Sequence, residues 1–276
     1  MIEAIDAITQ KFSGSVPRPD KEYLGMDGLL HCCTCGKAVE VMVKHPFTDD
    51  MRKVRCICYC KEQEINAAKE RERQAEQEKK RRVCFAETNM AVWNFNNDDR
   101  KNEKLSDAMK NYVNKFTEFK KDGKGVLLYG PVGTGKTFLA ACVANALLDN
   151  GYSVLMTNFA SLTNTIQGMY EGKQEYINGL NDYDLLIIDD LGTERKSEYM
   201  QEMVFNIIDS RYRAGLPMII TSNLTADELK KPQEVAYSRI YDRVLERCHP
   251  VKVDGTSRRR ESLKDSFEAT QQMLGL

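Results

Sequence analysis

The segment Gly130–Thr137, which reads GPVGTGKT, limits the possible folds of this chain more than any other. It matches the phosphate-binding pattern G-x-x-x-x-G-K-[ST] at every position, and it separates the apolar run Gly125–Tyr129 from a helical pattern over Phe138–Leu148. Such a loop cradles phosphate oxygens with its backbone N–H groups at the N-terminus of a helix. The sequence therefore predicts a nucleotide-binding domain that contains a strand, this loop and a helix.

Two side chains of the loop have predicted roles of their own. Lys136 supplies a positive charge for the β- and γ-phosphates, and the Thr137 hydroxyl is placed to ligate Mg²⁺. The predicted nucleotide-binding residues of the loop are Gly130, Pro131, Val132, Gly133, Thr134, Gly135, Lys136 and Thr137.

From about residue 85 onward, short apolar runs alternate with longer helical patterns such as Phe138–Leu148 and Tyr199–Tyr212. This alternation is typical of a parallel sheet with helices on both faces, and nearly continuous apolar runs are typical of strands buried on both faces. We therefore expect an α/β fold with a five-stranded parallel sheet. The predicted strands are Gly125–Tyr129, Ser153–Thr157, Asp184–Ile188, Pro217–Thr221 and Pro250–Val253.

Polar side chains follow two of the later strands. Asp189 and Asp190 come after a buried apolar run, and Asn223 ends the next strand along the chain. Asp189 is expected to hold the Mg²⁺ shell, and Asp190 to orient or deprotonate the attacking water. The alternative for Asp190 is a cap on the following turn. Asn223 is placed to touch the γ-phosphate or the water.

Six of the nine cysteines fall between residues 32 and 60. Without a secretion signal, such a cluster indicates a metal site before disulfides. Cys32 and Cys35 form a C-x-x-C pair, and two further thiolates would complete a tetrahedral zinc site with bonds of about 2.3 Å. Reduced thiols without metal and a redox switch are the alternatives, and Cys33 is the expected spare. The other two ligands come from a group within which the choice stays open: Cys56, Cys58 and Cys60.

Residues 61–83 contain no Gly or Pro and almost no apolar side chain, but many strong helix formers with favourable charge pairs four residues apart. This composition predicts a solvated helical linker. We therefore divide the chain into an N-terminal zinc-binding module at 1–60, a charged helical linker at 61–84 and a nucleotide-binding domain at 85–276.

The 40 Lys and Arg residues are balanced by 41 Asp and Glu, so binding to nucleic acid would need a local patch rather than bulk charge. No apolar run approaches the roughly 20 residues that cross a bilayer. The acidic first residues are unlike a secretory signal. We expect a cytoplasmic protein without membrane contact.

Four motifs together resemble a known family. In chain order they are GPVGTGKT, LLIIDDLG, TSNL and SRIYDR, within roughly residues 90–260. The set is similar to the AAA+ ATPases of the helicase-loader group, of DnaC and DnaI type, and to the related IstB transposition ATPases. The resemblance implies ATP and Mg²⁺ as ligands. Only 16 residues follow Arg260, which implies a truncated lid as in the loaders. The zinc module is similar to a feature of phage or prophage replication proteins.

The resemblance also implies roles for single residues. Asp189 matches the Walker B aspartate, and Asn223 matches the sensor of the γ-phosphate. Arg259 stands in the sensor-2 place, with a register that is open by one residue. Trp93 and Phe95 lie in the segment that leads into the core, where they either close the adenine pocket or pack in the core.

Two arginines match the family's arginine finger, which reaches into the ATP site of a neighbouring subunit. Arg239 and Arg243 lie four residues apart on one face of a predicted helix, and we prefer Arg243. The alternative is that both form surface ion pairs, with Asp242 and Glu246.

The implied function is an ATP-dependent helicase loader with a slow, assembly-dependent ATPase. Its N-terminal region would bind a replicative DnaB-type helicase, and its core would form a homo-oligomeric ring or spiral and meet single-stranded DNA. The alternatives are an IstB-like ATPase that delivers a transposase, a small-molecule kinase, and an adaptor that binds ATP without turnover. The candidate DNA-contacting residues are Tyr170, Lys173 and Tyr176.

Overall fold

The computed structural model describes residues 21–45, 47, 49–86, 89–193, 197–232 and 234–274. The chain separates into two compact units, Met1–Glu76 and Gln77–Leu276. The division falls inside one continuous helix, α1 (Tyr59–Phe85), which contains the segment that we expected to form a linker. The first 20 residues of the N-terminal module that we expected lie outside the described residues.

The described part of the N-terminal unit contains two antiparallel hairpins. Strand β1 (Glu22–Leu24) pairs with β2 (Leu30–Cys32), and β3 (Glu40–Lys44) pairs with β4 (Met51–Arg55). A fold of this size cannot bury enough apolar surface to be stable by itself, so it needs a further stabilising element. Its buried cluster holds two aliphatic side chains and two thiols, which are Leu30, Val39, Cys32 and Cys58.

Helix α1 is long, strongly charged and mostly exposed. Only Cys84 and Phe85, at its C-terminal end, are buried, and both join the core of the second unit. The helix has no apolar stripe along its length, so short-range ion pairs such as Arg82 with Glu78 line its surface instead.

The second unit is organised around a five-stranded parallel sheet. Its strands are β5 (Gly125–Tyr129), β6 (Val154–Asn158), β7 (Leu185–Leu191), β8 (Met218–Ser222) and β9 (Cys248–Lys252). Their spatial order is β6–β7–β8–β5–β9. Strands β5, β7 and β8 are almost wholly buried, as their apolar sequences predict. The expected α/β fold with a five-stranded parallel sheet is therefore confirmed.

Two strands differ from their predicted bounds. Strand β7 does not end at Ile188, because an irregularity in its pairing lets Leu191 pair with Ser222. Strand β9 begins at Cys248 rather than Pro250, since the parallel register with β5 continues for two more residues. Pro250 is tolerated inside this strand because β9 lies at the edge of the sheet.

Helices cover both faces of the sheet and create two apolar clusters. The helices that contribute to the first cluster are α2 (Glu103–Asn114), α3 (Phe116–Asp122) and α4 (Lys136–Asp149). Those of the second cluster are α5 (Phe159–Gln167), α6 (Lys173–Gly179), α7 (Glu198–Arg213), α8 (Ala226–Lys230) and α9 (Val235–Arg247). After β9 the structure describes one further helix, α10 (Arg258–Leu274). No helix in the described ranges is both long and apolar enough to span a bilayer.

A buried arginine joins the segments that precede β7 and β8. Arg211 of α7 is only 1% exposed, and its guanidinium donates hydrogen bonds to the carbonyl oxygens of Leu180, Tyr183, Asp184 and Pro217. Burial lowers the pKa of Arg211 to about 10, so the group stays charged at neutral pH. The hydrogen bonds to Leu180 and Pro217 are buried, so those two carbonyls depend on the arginine as their donor.

We expect Arg211→Met to lower the free energy of unfolding by about 3–5 kcal/mol, because it leaves several buried carbonyls without donors. Arg213→Met is the matched control on the same helix. Its side chain is exposed and pairs with Asp209, so its loss should cost about 1 kcal/mol or less. Urea unfolding, followed by the emission of Trp93, the sole tryptophan, measures the free energy of unfolding of both variants. Equal decreases in the free energy of unfolding for the two variants would contradict the prediction.

Candidate nucleotide-binding site and cysteine cluster

A cleft of about 370 Å³ lies at the carboxyl ends of β5, β7 and β8. This is the edge at which ligands bind in open α/β sheets. One end of the cleft is polar and is lined by Lys136, Thr137, Asp189, Asp190 and Asn223. The other end is lined by Met90, Trp93, Val132 and Phe138, with Arg258 and Arg259 at its border. A polar end beside an aromatic end suits the phosphates and the base of a nucleotide.

The phosphate-binding loop needs its glycines because another segment packs tightly against it. Gly133 has φ of +84°, and a Cβ there would lie 2.2 Å from the Ser257 hydroxyl oxygen. Gly135 has φ of +97°, and a Cβ there would lie 1.8 Å from the Arg258 guanidinium. The loop thus takes a conformation that only glycine adopts readily, and it is held by the start of α10.

Lys136 is buried inside this loop, with 5% of its surface exposed. Its Nζ donates to the carbonyl oxygens of Gly130 at 2.8 Å and Pro131 at 2.7 Å. Burial lowers the pKa of Lys136, and the nearby carboxylates of Asp190 and Asp189 oppose that shift. The ammonium group therefore lies at the phosphate end of the cleft beside two acids.

Thr137 and Asp189 meet as the sequence predicts. The Thr137 hydroxyl donates to Asp189 Oδ1 at 3.0 Å, which joins the first turn of α4 to the end of β7. Burial, as the largest cause, raises the pKa of Asp189, and the hydroxyl of Thr221 opposes that rise. One hydroxyl and one carboxylate at this distance are oxygen donors that suit Mg²⁺.

A bulge in β7 aims both carboxylates into the cleft. Ile188 pairs with Ile220 and Leu191 with Ser222, so Asp189 and Asp190 together face one residue of β8, Thr221. The Thr221 hydroxyl donates to Asp189 Oδ1 at 2.5 Å and accepts from the Asp190 backbone N–H at 2.9 Å. Sequence reasoning missed Thr221, since its role follows from the register between two strands.

Asp190 has an unusual backbone conformation. Its φ is +60°, in the left-handed region that residues other than glycine seldom occupy. Its side chain accepts a hydrogen bond from Asn223 Nδ2 at 3.2 Å. Strained backbone at such a place is common where function requires it. The carboxylate predicted to orient or deprotonate the attacking water and the predicted sensor are thus adjacent at the phosphate end.

The aromatic end contains one of the two aromatic residues that we assigned to it. Trp93 lines the cleft, with its ring 5.9 Å from that of Phe138. Met90, in a 3₁₀ turn over Asn89–Val92, lies beside it and was not predicted. Phe95 packs against the first apolar cluster, where its ring also meets Lys110, and does not line the cleft.

Arg258 and Arg259 lie at the border of the cleft with different partners. Arg258 donates to the Thr134 carbonyl oxygen at 2.6 Å and pairs with Asp99 at 2.8 Å, so it holds the loop in place. Arg259 is exposed, and its guanidinium has no hydrogen-bond partner within the described residues. Of these two arginines, Arg259 is therefore the one with a guanidinium available to a phosphate.

The two candidate finger arginines on α9 have different partners. Arg243, which we prefer from the sequence, donates to Asp209 at 2.7 Å and stacks on Phe205 at 4.6 Å. Arg239 is exposed and lies 5.9 Å from the Phe205 ring centre; its guanidinium makes no hydrogen bond to any described residue. Of the ion pairs weighed as the alternative role for Arg243, the structure shows one with Asp209 on α7 and not with the acids of its own helix.

Four thiols gather in the N-terminal unit. Their sulfur atoms all lie within 4.8 Å of one another, and a tetrahedral four-thiolate zinc site places its sulfurs about 3.8 Å apart. Sulfur–sulfur hydrogen bonds join Cys60 to Cys32 at 3.4 Å and to Cys58 at 3.2 Å. Backbone N–H groups lower the pKa of Cys32 to about 6, which favours its thiolate, while neighbouring thiols raise that of Cys60 to about 12. The four are Cys32, Cys35, Cys58 and Cys60.

The structure places one of the three open candidates outside this cluster. Cys56 is exposed, and its thiol lies 3.5 Å from the Ala38 carbonyl oxygen, outside the cluster. Cys33 is exposed as well, as expected for a spare thiol. The His31 ring is held by Gly36 and Asp27 and does not join the sulfurs. A set of four soft donors with no oxygen or nitrogen among them fits Zn²⁺.

The candidate DNA-contacting residues have different environments. Tyr170 is fully exposed in the loop between α5 and α6. Lys173 is half-buried, with its Nζ over the ring of Tyr199 at 5.9 Å, and Tyr176 packs against the second apolar cluster. Among these three, only the Tyr170 ring is open to stacking.

The strand order β6–β7–β8–β5–β9, the phosphate loop after β5 and the carboxylates at the end of β7 define a P-loop nucleoside triphosphatase fold of the AAA+ type. Sequence comparison then identifies the family. The profile of the IstB-like ATP binding protein family matches residues 57–266, and the chain belongs to that family.

Individual relatives match a smaller part of this chain than the family profile does. The replicative helicase loader DnaI of Bacillus subtilis is 30% identical over 149 residues, which is 50% of this chain and 48% of that protein. An insertion sequence ATP-binding protein of Sinorhizobium fredii is 31% identical over 148 residues, or 52% of this chain and 49% of that protein. The crystal structure of DnaI has a TM-score of 0.52 and 26% identity, and covers 61% of this chain and 92% of its own. The chain spans about half the length of the curated relatives it matches.

Proposed function

We propose that this chain hydrolyses ATP as a switch and loads a replicative DNA helicase onto single-stranded DNA. The observation that carries this proposal is the similarity of the core to the helicase loader DnaI, in both sequence and structure. The polar end of the cleft supports the ATPase part of the proposal, because it brings Lys136, Asp189, Asp190 and Asn223 to one place.

In this proposal, the residues of the cleft divide the work of hydrolysis. Thr137 and Asp189 would hold Mg²⁺, which when bound neutralises charge on the β- and γ-phosphates. Lys136 binds the same phosphates. Asp190, oriented by Asn223, accepts the hydrogen bond of the attacking water and positions it. Arg259 binds the γ-phosphate from the border of the cleft.

An exposed arginine outside the cleft supports an assembly-dependent switch. Arg239 has no cleft residue as a neighbour, so its guanidinium would act only on the ATP of an adjacent subunit. A site that gains its last positive charge from a second chain hydrolyses ATP mainly in the assembled state. Such a protein would form a homo-oligomeric ring or spiral when it binds ATP.

The N-terminal unit would hold the helicase, and the zinc ion would be structural. Its hairpins bury few apolar residues, and the four-thiol cluster offers a closed site with no position left for a substrate. For single-stranded DNA, the exposed ring of Tyr170 is our candidate for base stacking.

A loading experiment tests the proposal. On closed circular single-stranded DNA with an annealed primer, the protein with ATP should increase strand separation by a DnaB-type hexamer several-fold. Lys136→Ala should give no increase, because it loses the charge that binds the β- and γ-phosphates. Tyr170→Ala should retain helicase binding and weaken DNA binding. The ATPase rate per molecule should also rise with protein concentration and with single-stranded DNA.

Two outcomes would contradict the loader function. The first is a normal ATPase rate with no binding of the helicase. The second is retention of a transposase on DNA in place of a helicase, which would favour the transposition ATPase that the family name also covers. A phosphorylated small molecule as product would favour a kinase.

A further inference from the structure

One side chain holds the wall of the cleft that contains Met90 and Trp93. Asn145 lies on α4, and its Nδ2 donates to the carbonyl oxygen of Trp93 at 2.8 Å and to that of Met90 at 3.1 Å. A third contact, to the Ala141 carbonyl oxygen at 3.2 Å, lies within α4 itself. The turn that carries Met90 and Trp93 is thereby tied to the helix that begins with the phosphate-binding lysine.

The position of Asn145 on its helix explains this contact. Phe138 and Asn145 are seven residues apart, so they lie two turns apart on the same face of α4. Phe138 meets the Trp93 ring at 5.9 Å, and Asn145 binds the backbone of the same residue. Asn145 is only 3% exposed, so water does not replace these hydrogen bonds when they are lost.

A second residue orients the Asn145 amide. Arg81, near the end of α1, donates from Nε to Asn145 Oδ1 at 3.1 Å. Its guanidinium also pairs with Asp149, one turn further along α4. The amide oxygen thus faces Arg81, which turns the amide nitrogen toward Met90 and Trp93. Both hydrogens of the Asn145 amide and one lone pair of its oxygen are thereby engaged.

We propose that Asn145, oriented by Arg81, is a positioning residue for base binding. It fixes Met90 and Trp93 at a set distance from Phe138, so that the base enters a preformed slot and not one that must be ordered on binding. The proposal rests on the proposed nucleotide binding and adds that base affinity depends on the C-terminal end of α1. Among the described residues, the hydrogen bonds of Lys136 and Thr137 go to groups other than Asn145.

The test compares two ligands that share phosphates but not a base. Calorimetric titrations of the full chain with ADP and with inorganic tripolyphosphate give both dissociation constants. We expect Asn145→Ala to raise the dissociation constant of ADP about tenfold and that of tripolyphosphate less than about twofold. Arg81→Met should raise the dissociation constant of ADP about threefold and leave that of tripolyphosphate nearly unchanged. Trp93 emission should shift to longer wavelength in both variants, since the turn loosens.

Matched controls lie near Arg81 and Asn145 in the chain. Arg82→Met removes an exposed guanidinium that pairs only with Glu78 among the described residues, and Asn150→Ala removes an exposed amide at the end of α4. Neither should change the affinity for ADP or the Trp93 emission. Thermal unfolding shows whether Asn145→Ala folds; if it does not, Arg81→Met, at a partly exposed position, decides the question.

Equal weakening of ADP and tripolyphosphate, or no weakening of either, would overturn the proposal. A parent chain that binds neither ligand would refute the proposed nucleotide binding itself. A parent that binds both, together with variants that show no selective loss, would refute only the role of Asn145.

Discussion

Cys58→Ser is expected to remove zinc from the N-terminal unit, whereas Cys56→Ser should leave it in place. The two residues are two positions apart, and the substitution is the same. Only Cys58 has its sulfur in the four-thiol cluster, while Cys56 lies outside it near the Ala38 carbonyl oxygen. A serine hydroxyl is a poor ligand in a site built for four thiolates.

Metal analysis of the purified full chain measures this effect. The parent and Cys56→Ser should each carry about one zinc per chain, and Cys58→Ser well below that. Because metal binding contributes about 10–16 kcal/mol to the folding of small zinc modules, Cys58→Ser should also make residues of β1 to β4 sensitive to protease. Trp93 emission in the second unit serves as the internal control and should not change.

The opposite pattern would show that the wrong cysteine was assigned. Loss of zinc in Cys56→Ser with retention in Cys58→Ser would place Cys56 in the site. Absence of zinc from the parent, with four reactive thiols in Cys32, Cys35, Cys58 and Cys60, would favour the reduced or redox alternatives.

Arg239→Ala is expected to lower ATP hydrolysis in the assembled state by about a thousandfold or more, with ATP affinity changed less than about twofold. The reason is that Arg239 is exposed, lies outside its own cleft and has a guanidinium available to a neighbour. Arg243→Ala should behave differently. It breaks the ion pair with Asp209 and the stacking on Phe205, so it should reduce stability by about 1–2 kcal/mol and leave hydrolysis by the folded fraction largely intact.

A mixing experiment separates action between subunits from action within one. Arg239→Ala chains keep an intact cleft, and Lys136→Ala chains keep Arg239 but lack the loop lysine. If the finger acts between subunits, equal mixtures should recover part of the hydrolysis that each variant lacks alone. No recovery would contradict action between subunits. Loss of hydrolysis in Arg243→Ala, together with normal hydrolysis in Arg239→Ala, would return the role to Arg243.

Local sequence patterns are sufficient to predict much of the fold and the polar end of the cleft. The phosphate loop between β5 and α4 follows from a contiguous motif, because backbone N–H groups and one helix N-terminus make that structure without distant partners. The paired carboxylates at the end of β7 follow from a contiguous pattern in the same way. Apolar runs of strand length predicted all five strands, and the burial of β5, β7 and β8 on both faces explains why their runs lack alternation.

Pairing between distant segments decided the rest. The bulge that sets Asp189 and Asp190 opposite Thr221 depends on the register of two strands that are about 30 residues apart in the chain. No local pattern encodes such a register. The same holds for Asn145, which binds carbonyl groups more than 50 residues away.

The fold class, the phosphate loop, the paired acids and the presence of a cysteine cluster can be predicted from local patterns, because each depends on residue types at short, fixed spacings. Which four cysteines meet, and which of Arg239 and Arg243 is exposed, follows from the packing of distant segments. Those choices depend on where the chain turns after β4 and on the position of Asp209 on a neighbouring helix. Spacing alone makes the candidates equivalent, and packing in three dimensions separates them.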